Sequence, residues 1–441
     1  MRQPYAVAVL TWQAVRVSEL TSAALGRVRS RLIPFLFVLF LVAYLDRINI
    51  SFAASEMSAD LGISLAAYGL GAGIFFIGYF VFEVPSNLIL RRVGARVWIA
   101  RIMLTWGLVS GLTAFVTTEW QFYLVRFLLG VAEAGFFPGV VLYLTFWVPR
   151  AERARTMALF LTATAVAGVI GAPISGALLA LDGVGGLQGW QWLFIVEAIP
   201  ALVLAVIVWR RLPDGPHEAR FLTHEQRAAL SATMEREAAE SPAAESLGEA
   251  FRSGRVWVLS LLYLAIVIGF YGISLWLPLL VKREFPEVGS VALGFLTAVP
   301  YLCAVFAMVA VGRSSDRRRE RTWHLALPLA AGALGLIVAA YAGSVVGMIA
   351  ICVATAGMYA ALGPFWTLPP AFLRGAAAAA GIAWINSIGN LGGFLGPYTL
   401  GQLATDGAGI GTGLAVLAGV ALTAMLLGLA VSRAVQRSAR A

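Results

Sequence analysis

The stretch Leu32-Ile-Pro-Phe-Leu-Phe-Val-Leu-Phe-Leu-Val-Ala-Tyr44-Leu-Asp46-Arg47-Ile-Asn-Ile-Ser-Phe-Ala-Ala54 is apolar along almost its whole length and carries two adjacent opposite charges near its middle. As a helix it reaches about 34 Å at 1.5 Å per residue, enough to cross about 30 Å of hydrocarbon. Runs of the same kind recur at about 66–90, 97–117, 121–147, 154–181, 190–210, 255–280, 290–312, 323–343, 345–371, 376–404 and 409–432, which predicts twelve spans. Hydrophobic residues make up 60% of the 441-residue chain and charged residues only 12%, where soluble domains carry about 25% charge. A water-soluble globule and a disordered chain are both excluded. The class is an all-α polytopic membrane protein in contact with the lipid bilayer.

Charge outside the spans sets topology. The net charge of +9 comes from arginines clustered between runs rather than in one patch, so no nucleic-acid partner is expected. Arg91, Arg92 and Arg96, then Arg150, Arg153 and Arg155, then Arg313, Arg317, Arg318, Arg319 and Arg321, then Arg374, and Arg433, Arg437 and Arg440 fall in loops of one side. The opposite loops hold Glu56, Asp60, Glu119, Asp182 and Asp406. The positive-inside rule then places both termini in the cytoplasm. Residues 1–31 read as a cytoplasmic extension, since no cleavage site follows the short apolar stretch Tyr5–Trp12. The domains expected are a six-helix bundle over 32–210, a central loop over 211–254, a second bundle over 255–432 and a tail over 433–441. In the loop, Thr223-His-Glu-Gln226 has capping-box spacing and opens a solvated interfacial helix to about Glu240. Gly312 to Arg318 falls opposite Asn87 to Val93, Arg150 opposite Arg374, and Pro173 opposite Pro397, all at an offset of about 225 residues, as in the parallel repeats of secondary transporters.

The three histidines (His217, His224, His324) lie in or beside polar loops, and Cys303 and Cys352 sit inside apolar runs as small buried residues. No metal and no cofactor are expected, and a proton relay would have to use carboxylates. The first half carries seven charges within its spans: Asp46, Arg47, Glu83, Arg101, Arg126, Glu133 and Glu197. Each costs about 2.5–3.5 kcal/mol or more at mid-bilayer, which marks intramembrane charge as functional and in need of a partner. The second half carries no Asp, Glu, Lys or Arg over 257–280, 291–312, 322–373 or 375–405.

Depth sorts the seven. Arg47 and Arg126 both stand about 22 Å above the cytoplasmic face at 1.5 Å per residue, and Glu133 follows Arg126 by two turns on one face. Two guanidiniums at one level suit bidentate capture of a carboxylate, so an organic anion is the expected cargo. Asp46 and Glu133 are candidates to hold the coupling protons; alternatively the four charges neutralise one another as a static network. Glu83 and Arg101 are read as a structural or gating pair, and Glu197 as structural. Asn386 and Asn390, one turn apart, could grip hydroxyls or a carboxylate, or could tighten helix packing. Tyr44, Tyr79, Tyr271, Trp276, Tyr359 and Trp366 are candidates to line the path, and the dense glycines of spans two and four to permit close helix crossing.

Three stretches, Tyr44-Leu-Asp46-Arg47-Ile-Asn49-Ile, Phe75-Phe-Ile-Gly-Tyr79-Phe-Val-Phe-Glu83-Val-Pro-Ser-Asn87 and Arg126-Phe-Leu-Leu-Gly-Val-Ala-Glu133-Ala-Gly-Phe-Phe-Pro138-Gly, resemble the anion:cation symporter family of the major facilitator superfamily. Gly189-Trp-Gln-Trp192-Leu-Phe and Leu212-Pro-Asp-Gly-Pro-His-Glu-Ala-Arg220-Phe-Leu extend the likeness. The resemblance implies the superfamily fold, with twelve transmembrane helices in two six-helix pseudo-repeats. It also implies uptake of organic anions such as sugar acids, tartrate and aromatic carboxylates, coupled to protons or, in some relatives, sodium. It assigns coupling to Asp46 and Glu133, the charged binding positions to Arg47 and Arg126, and a polar contact to Asn390. Two departures stand out. The superfamily's first cytoplasmic-loop motif has Gly and Asp where this chain has Asn87 and Arg91, while the later copy, Gly312 with Asp316 and Arg317, looks intact as a gating element. Thr164 and Ala165 offer less amide bonding than sugar-acid members, which turns the likeness toward the tartrate and phthalate type.

The reading is a monomeric, proton-coupled importer of a small carboxylate in the bacterial cytoplasmic membrane. The alternative is a proton-driven exporter of drugs or metabolites of the same superfamily. Such pumps place Gly before the span-five proline, whereas Ala172 precedes Pro173 here. An enzyme acting on a lipid-linked anion would need a catalytic acid, His or Cys cluster at the interface, and the sequence offers none.

Overall fold

The computed structural model describes residues 18–239, 252–369, 376–407 and 409–438. Arg374, residues 1–17 of the extension and 240–251 of the central loop lie outside the described residues. The helices are α1 (Ser18–Leu61), α2 (Leu65–Val93), α3 (Ala95–Leu112), α4 (Glu119–Glu133), α5 (Phe136–Leu144), α6 (Arg150–Leu179), α7 (Gly189–Arg211) and α8 (His224–Ala239). After the central loop follow α9 (Gly254–Ser274), α10 (Leu277–Glu284), α11 (Ser290–Arg318), α12 (Thr322–Tyr341), α13 (Ser344–Trp366), α14 (Ala376–Asn390), α15 (Gly392–Thr405) and α16 (Gly409–Ser438).

Among the described residues, 11 helices are long and apolar enough to cross a membrane. The expected crossing at 376–404 is built from two shorter helices, α14 and α15, which meet at Leu391. The fourth crossing is also broken. Glu133 ends α4, and Gly135 turns into the left-handed region (φ 83°) before α5 starts. Only glycine takes that conformation without penalty.

Past its middle α1 is buried on all sides, so that Tyr44, Asp46, Arg47 and Asn49 are all covered. The two halves meet along two seams at the end opposite the termini. On one, α2 lies against α15, where a Cβ at Gly69 would stand 2.5 Å from the Pro397 carbonyl; on the other, α6 lies against α11, where a Cβ at Gly294 would stand 2.5 Å from the Ala172 carbonyl. Small residues let these backbones touch. Tyr68 donates its hydroxyl to the Leu275 carbonyl at 2.5 Å, the Ala66 N–H donates to Thr405 Oγ1 at 2.9 Å, and Ser290 Oγ donates to Glu56 Oε1 at 3.3 Å across the same end.

At the terminus end the central loop docks on the first half. Arg27 donates to the Phe221 carbonyl at 3.0 Å, Tyr143 donates to the Pro213 carbonyl at 2.5 Å, and Trp147 stacks on Phe221. The expected solvated helix is α8, yet it buries Gln226, Ala229, Leu230 and Met234, so it is a one-sided docked helix. The departure at Asn87 and Arg91 acquires a physical account here. Asn87 caps the Glu83 carbonyl through Nδ2 at 2.9 Å, and the loop ionic contacts are made by Arg96, which pairs with Asp214 at 3.4 Å and Glu218 at 3.6 Å.

Candidate functional site

The centre of the site is Arg47, about two-thirds of the way along α1 and 9% exposed. Nη2 is ion-paired with Glu133 at the end of α4, and Nη1 donates to the Tyr271 hydroxyl of α9 at 2.8 Å. One guanidinium therefore joins the two halves. Its carbon lies 5.3 Å from the ring centres of both Phe75 and Tyr79, an arrangement in which aromatic faces stabilise the cation.

Arg126, fully buried, approaches the same Phe75 ring at 5.1 Å. The shared level read from the sequence corresponds to two guanidiniums gathered on one aromatic ring. Arg126 donates from Nε to the Gly71 carbonyl at 3.4 Å, while Nη1 and Nη2 have no hydrogen-bond partner. Buried donors left unpaired cost free energy, and a charged fork with two of them is equipped to accept an anion. The proximity depends on α2 and α4 touching: a Cβ at Gly130 would fall on the Phe75 carbonyl.

Asp46 turns away from its neighbour. It accepts from Trp106 Nε1 at 2.6 Å, Ser110 Oγ at 3.0 Å and Asn49 Nδ2 at 3.4 Å. Adjacent helical residues point about 100° apart, so Arg47 faces the site while Asp46 faces α3. Among the described residues neither Asp46 nor Arg126 forms an ion pair, and the one salt bridge among the four charges joins Arg47 to Glu133. Glu197 accepts from Ser175 Oγ at 2.7 Å, within the α6–α7 contact.

The expected Glu83–Arg101 pair is not formed. Glu83 faces the other half and accepts from Asn386 Nδ2 at 2.8 Å, Ser387 Oγ at 3.3 Å and Asn390 Nδ2 at 3.5 Å. Arg101 lies along α3, its guanidinium carbon 3.8 Å from the Trp98 ring, with Thr105 one turn on. The reason is geometric: α2 presents Glu83 to α14, whereas Arg101 lies over a ring one turn back on its own helix. Asp316 is paired with Arg321 at 2.7 Å, not with Arg317, and is largely exposed.

A cavity of about 60 Å³ lies between the halves, its wall including Tyr44, Arg47, Tyr79, Tyr271, Asn386 and Asn390. Arg126 lies outside this wall, and Trp366 stands behind it at 4.9 Å from Tyr263. The space admits water and is far below the roughly 300 Å³ of an open ligand pocket. A hydroxyl chain extends from it: Tyr44 bonds Tyr359 at 3.2 Å and Tyr359 bonds Ser274 at 3.0 Å. Sequence reading missed Phe75, Trp106, Ser110, Tyr263 and Ser387. Each is an uncharged residue in an apolar run, indistinguishable there from packing residues.

Residues 36–397 match the family described as Major Facilitator Superfamily. The chain is 48% identical over 421 residues to the "Putative tartrate transporter" of Agrobacterium vitis, covering 95% of this chain and 93% of that one. It is 43% identical over 400 residues to the "Quinolone resistance transporter" of Acinetobacter baumannii, covering 90% and 92%. In three dimensions it is similar to the crystal structure of a bacterial homolog of the human lysosomal transporter Spinster, in an inward-facing and occupied conformation, with a TM-score of 0.74, 18% identity, and 92% and 97% coverage.

Proposed function

The chain belongs to the Major Facilitator Superfamily and is a transporter rather than an enzyme, and on that premise we propose that it imports a small organic anion together with protons across the bacterial inner membrane. A tartrate-like dicarboxylate leads the candidates, ahead of sugar acids and aromatic carboxylates such as phthalate. The bundles over 32–210 and 255–432 are the bodies that rock, within a single chain whose termini are cytoplasmic.

The observation that carries this reading is the state of the two arginines. Arg47 is bonded to Glu133 on one half and Tyr271 on the other, and Arg126 holds two unpartnered nitrogens beside the same ring. An entering carboxylate competes with Glu133 for Arg47. A proton taken by Glu133 removes the competing negative charge, so anion and proton bind in support of one another, which is the linkage that symport requires. Asp46, held by neutral donors alone, is the second proton carrier. Protons are favoured over sodium because Asp46 accepts from Trp106, Ser110 and Asn49 rather than sharing a cluster of carboxylates with Glu133.

Uptake of tartrate, sugar acids, phthalate and hydroxybenzoates into proteoliposomes, with and without an inward proton gradient, tests this function. Gradient-stimulated uptake of at least one of them is expected, and its absence for all of them overturns the reading. The likeness to a quinolone resistance transporter favours a second reading, export. Proton-driven quinolone movement into everted vesicles, with no anion uptake, would select it.

A further inference from the structure

Glu83 is a carboxylate of the first half held by three donors of the second, with 4% of its surface exposed. It stands about 27 Å from the far end of α2, whereas Arg47 stands about 21 Å from the far end of α1, at 1.5 Å per residue. The contact therefore lies on the terminus side of the cavity, opposite the glycine seams, and the cavity is bounded from both ends. Asn386 and Asn390 belong to the cavity wall. Their amide nitrogens point at a carboxylate that is covalently part of the protein. Among the described residues, the charged and titratable groups near Glu83 are Arg47, Tyr79 and Tyr263.

A carboxylate here is a costly choice if packing were its only purpose, since among the described residues its partners are neutral donors and no cation lies within ion-pairing distance of it. Its acceptor-only oxygens reproduce the chemistry of an anionic substrate. We infer that Glu83 is a tethered stand-in for the substrate carboxylate: in the empty carrier it occupies Asn386, Ser387 and Asn390 and holds the halves together, and the bound anion displaces it. An empty symporter has to reorient with no anion to bridge its halves, and Glu83 supplies the same bridge from within. The inference rests on the proposed assignment of Asn386 and Asn390 to the anion site.

Spin labels at Arg92→Cys and Arg317→Cys, both exposed at the terminus end, report the separation of the halves by double electron–electron resonance, in a chain with Cys303 and Cys352 replaced by alanine and no anion added. Glu83→Ala is expected to raise the population with the halves apart about tenfold, as loss of charge-assisted hydrogen bonding would give. Asn386→Ala is expected to do the same from the other side and serves if the Glu83→Ala chain folds poorly. Unchanged distances in both variants overturn the inference. Tartrate binding separates this from the assignment beneath it. Asn386→Ala with Asn390→Ala is expected to weaken tartrate binding and Glu83→Ala to strengthen it severalfold. Tartrate affinity unaltered by the asparagine changes overturns their place in the anion site, whatever the labels report.

Discussion

Arg47 divides its guanidinium between the two halves of the molecule, Nη2 on Glu133 of α4 and Nη1 donating to Tyr271 of α9 at 2.8 Å. A charge that selects among partners on both halves sits where rocking must make and break contacts. Tyr271→Phe removes the acceptor and keeps the ring, which packs 4.5 Å from Phe76. A hydrogen bond to a charged group is worth about 1.5–3 kcal/mol, and this one joins the halves in the anion-free protein, so Tyr271→Phe is expected to lower the melting temperature by a few degrees. Melting curves of the purified variant in detergent measure it.

The Glu133 carboxylate and the Arg47 guanidinium are predicted to separate coupling from binding. In Glu133→Gln, counterflow exchange is expected to persist while accumulation driven by a proton gradient is lost. In Arg47→Ala, both are expected to fall to background. Normal accumulation by the glutamine variant would remove Glu133 from the coupling role.

Close packing of α2 on α4 makes a third prediction. Gly130→Ala puts a methyl group onto the Phe75 carbonyl and is expected to destabilise the fold by about 1–3 kcal/mol, the usual cost of overpacking. Gly419→Ala in α16 meets nothing within 4 Å and is expected to be neutral or to stabilise by up to about 1 kcal/mol through helix propensity. Melting curves of the purified variants in detergent compare the two.

Outside the spans, Glu320 caps the start of α12. Both of its oxygens accept from the Trp323 N–H at 3.0 Å, and His324 contributes its N–H and ring. Burial pushes the Glu320 carboxyl up, but these hydrogen bonds outweigh it and hold the group below its ordinary value. A group with a depressed folded value stabilises above the ordinary glutamate range, and that contribution is lost as pH falls through the depressed value. The protection of amides in the first turn of α12, measured as the exchange rate relative to the intrinsic rate at each pH, is expected to fall at low pH in the native chain. In Glu320→Gln that protection is expected to be low already at neutral pH and flat with pH.

The class was legible without coordinates, and so were the charges from which the candidate site is argued. Apolar runs long enough to cross the hydrocarbon define the helices, and charge is so expensive there that Asp46, Arg47, Arg126 and Glu133 stand out. Even their depth follows, because a helix rises by a constant step, and the two arginines do meet at one ring. Glu83 and Arg101 show where such reading stops. They lie near one face on successive spans, yet each turns elsewhere, because depth says nothing about azimuth.

What the sequence by itself determined is which runs are long and apolar enough to cross a membrane, how far along each run its charges stand, and which residues carry those charges. Partner choice was decided only by the tertiary structure. Asp46 and Arg47 are neighbours in the chain, but α1 directs one to Trp106 and the other to Glu133 and Tyr271. Glu83 finds Asn386 across 303 positions of sequence. The physical reason is that hydrogen bonds and ion pairs act over about 3–4 Å, a range set by how helices rotate and how closely glycines let them approach.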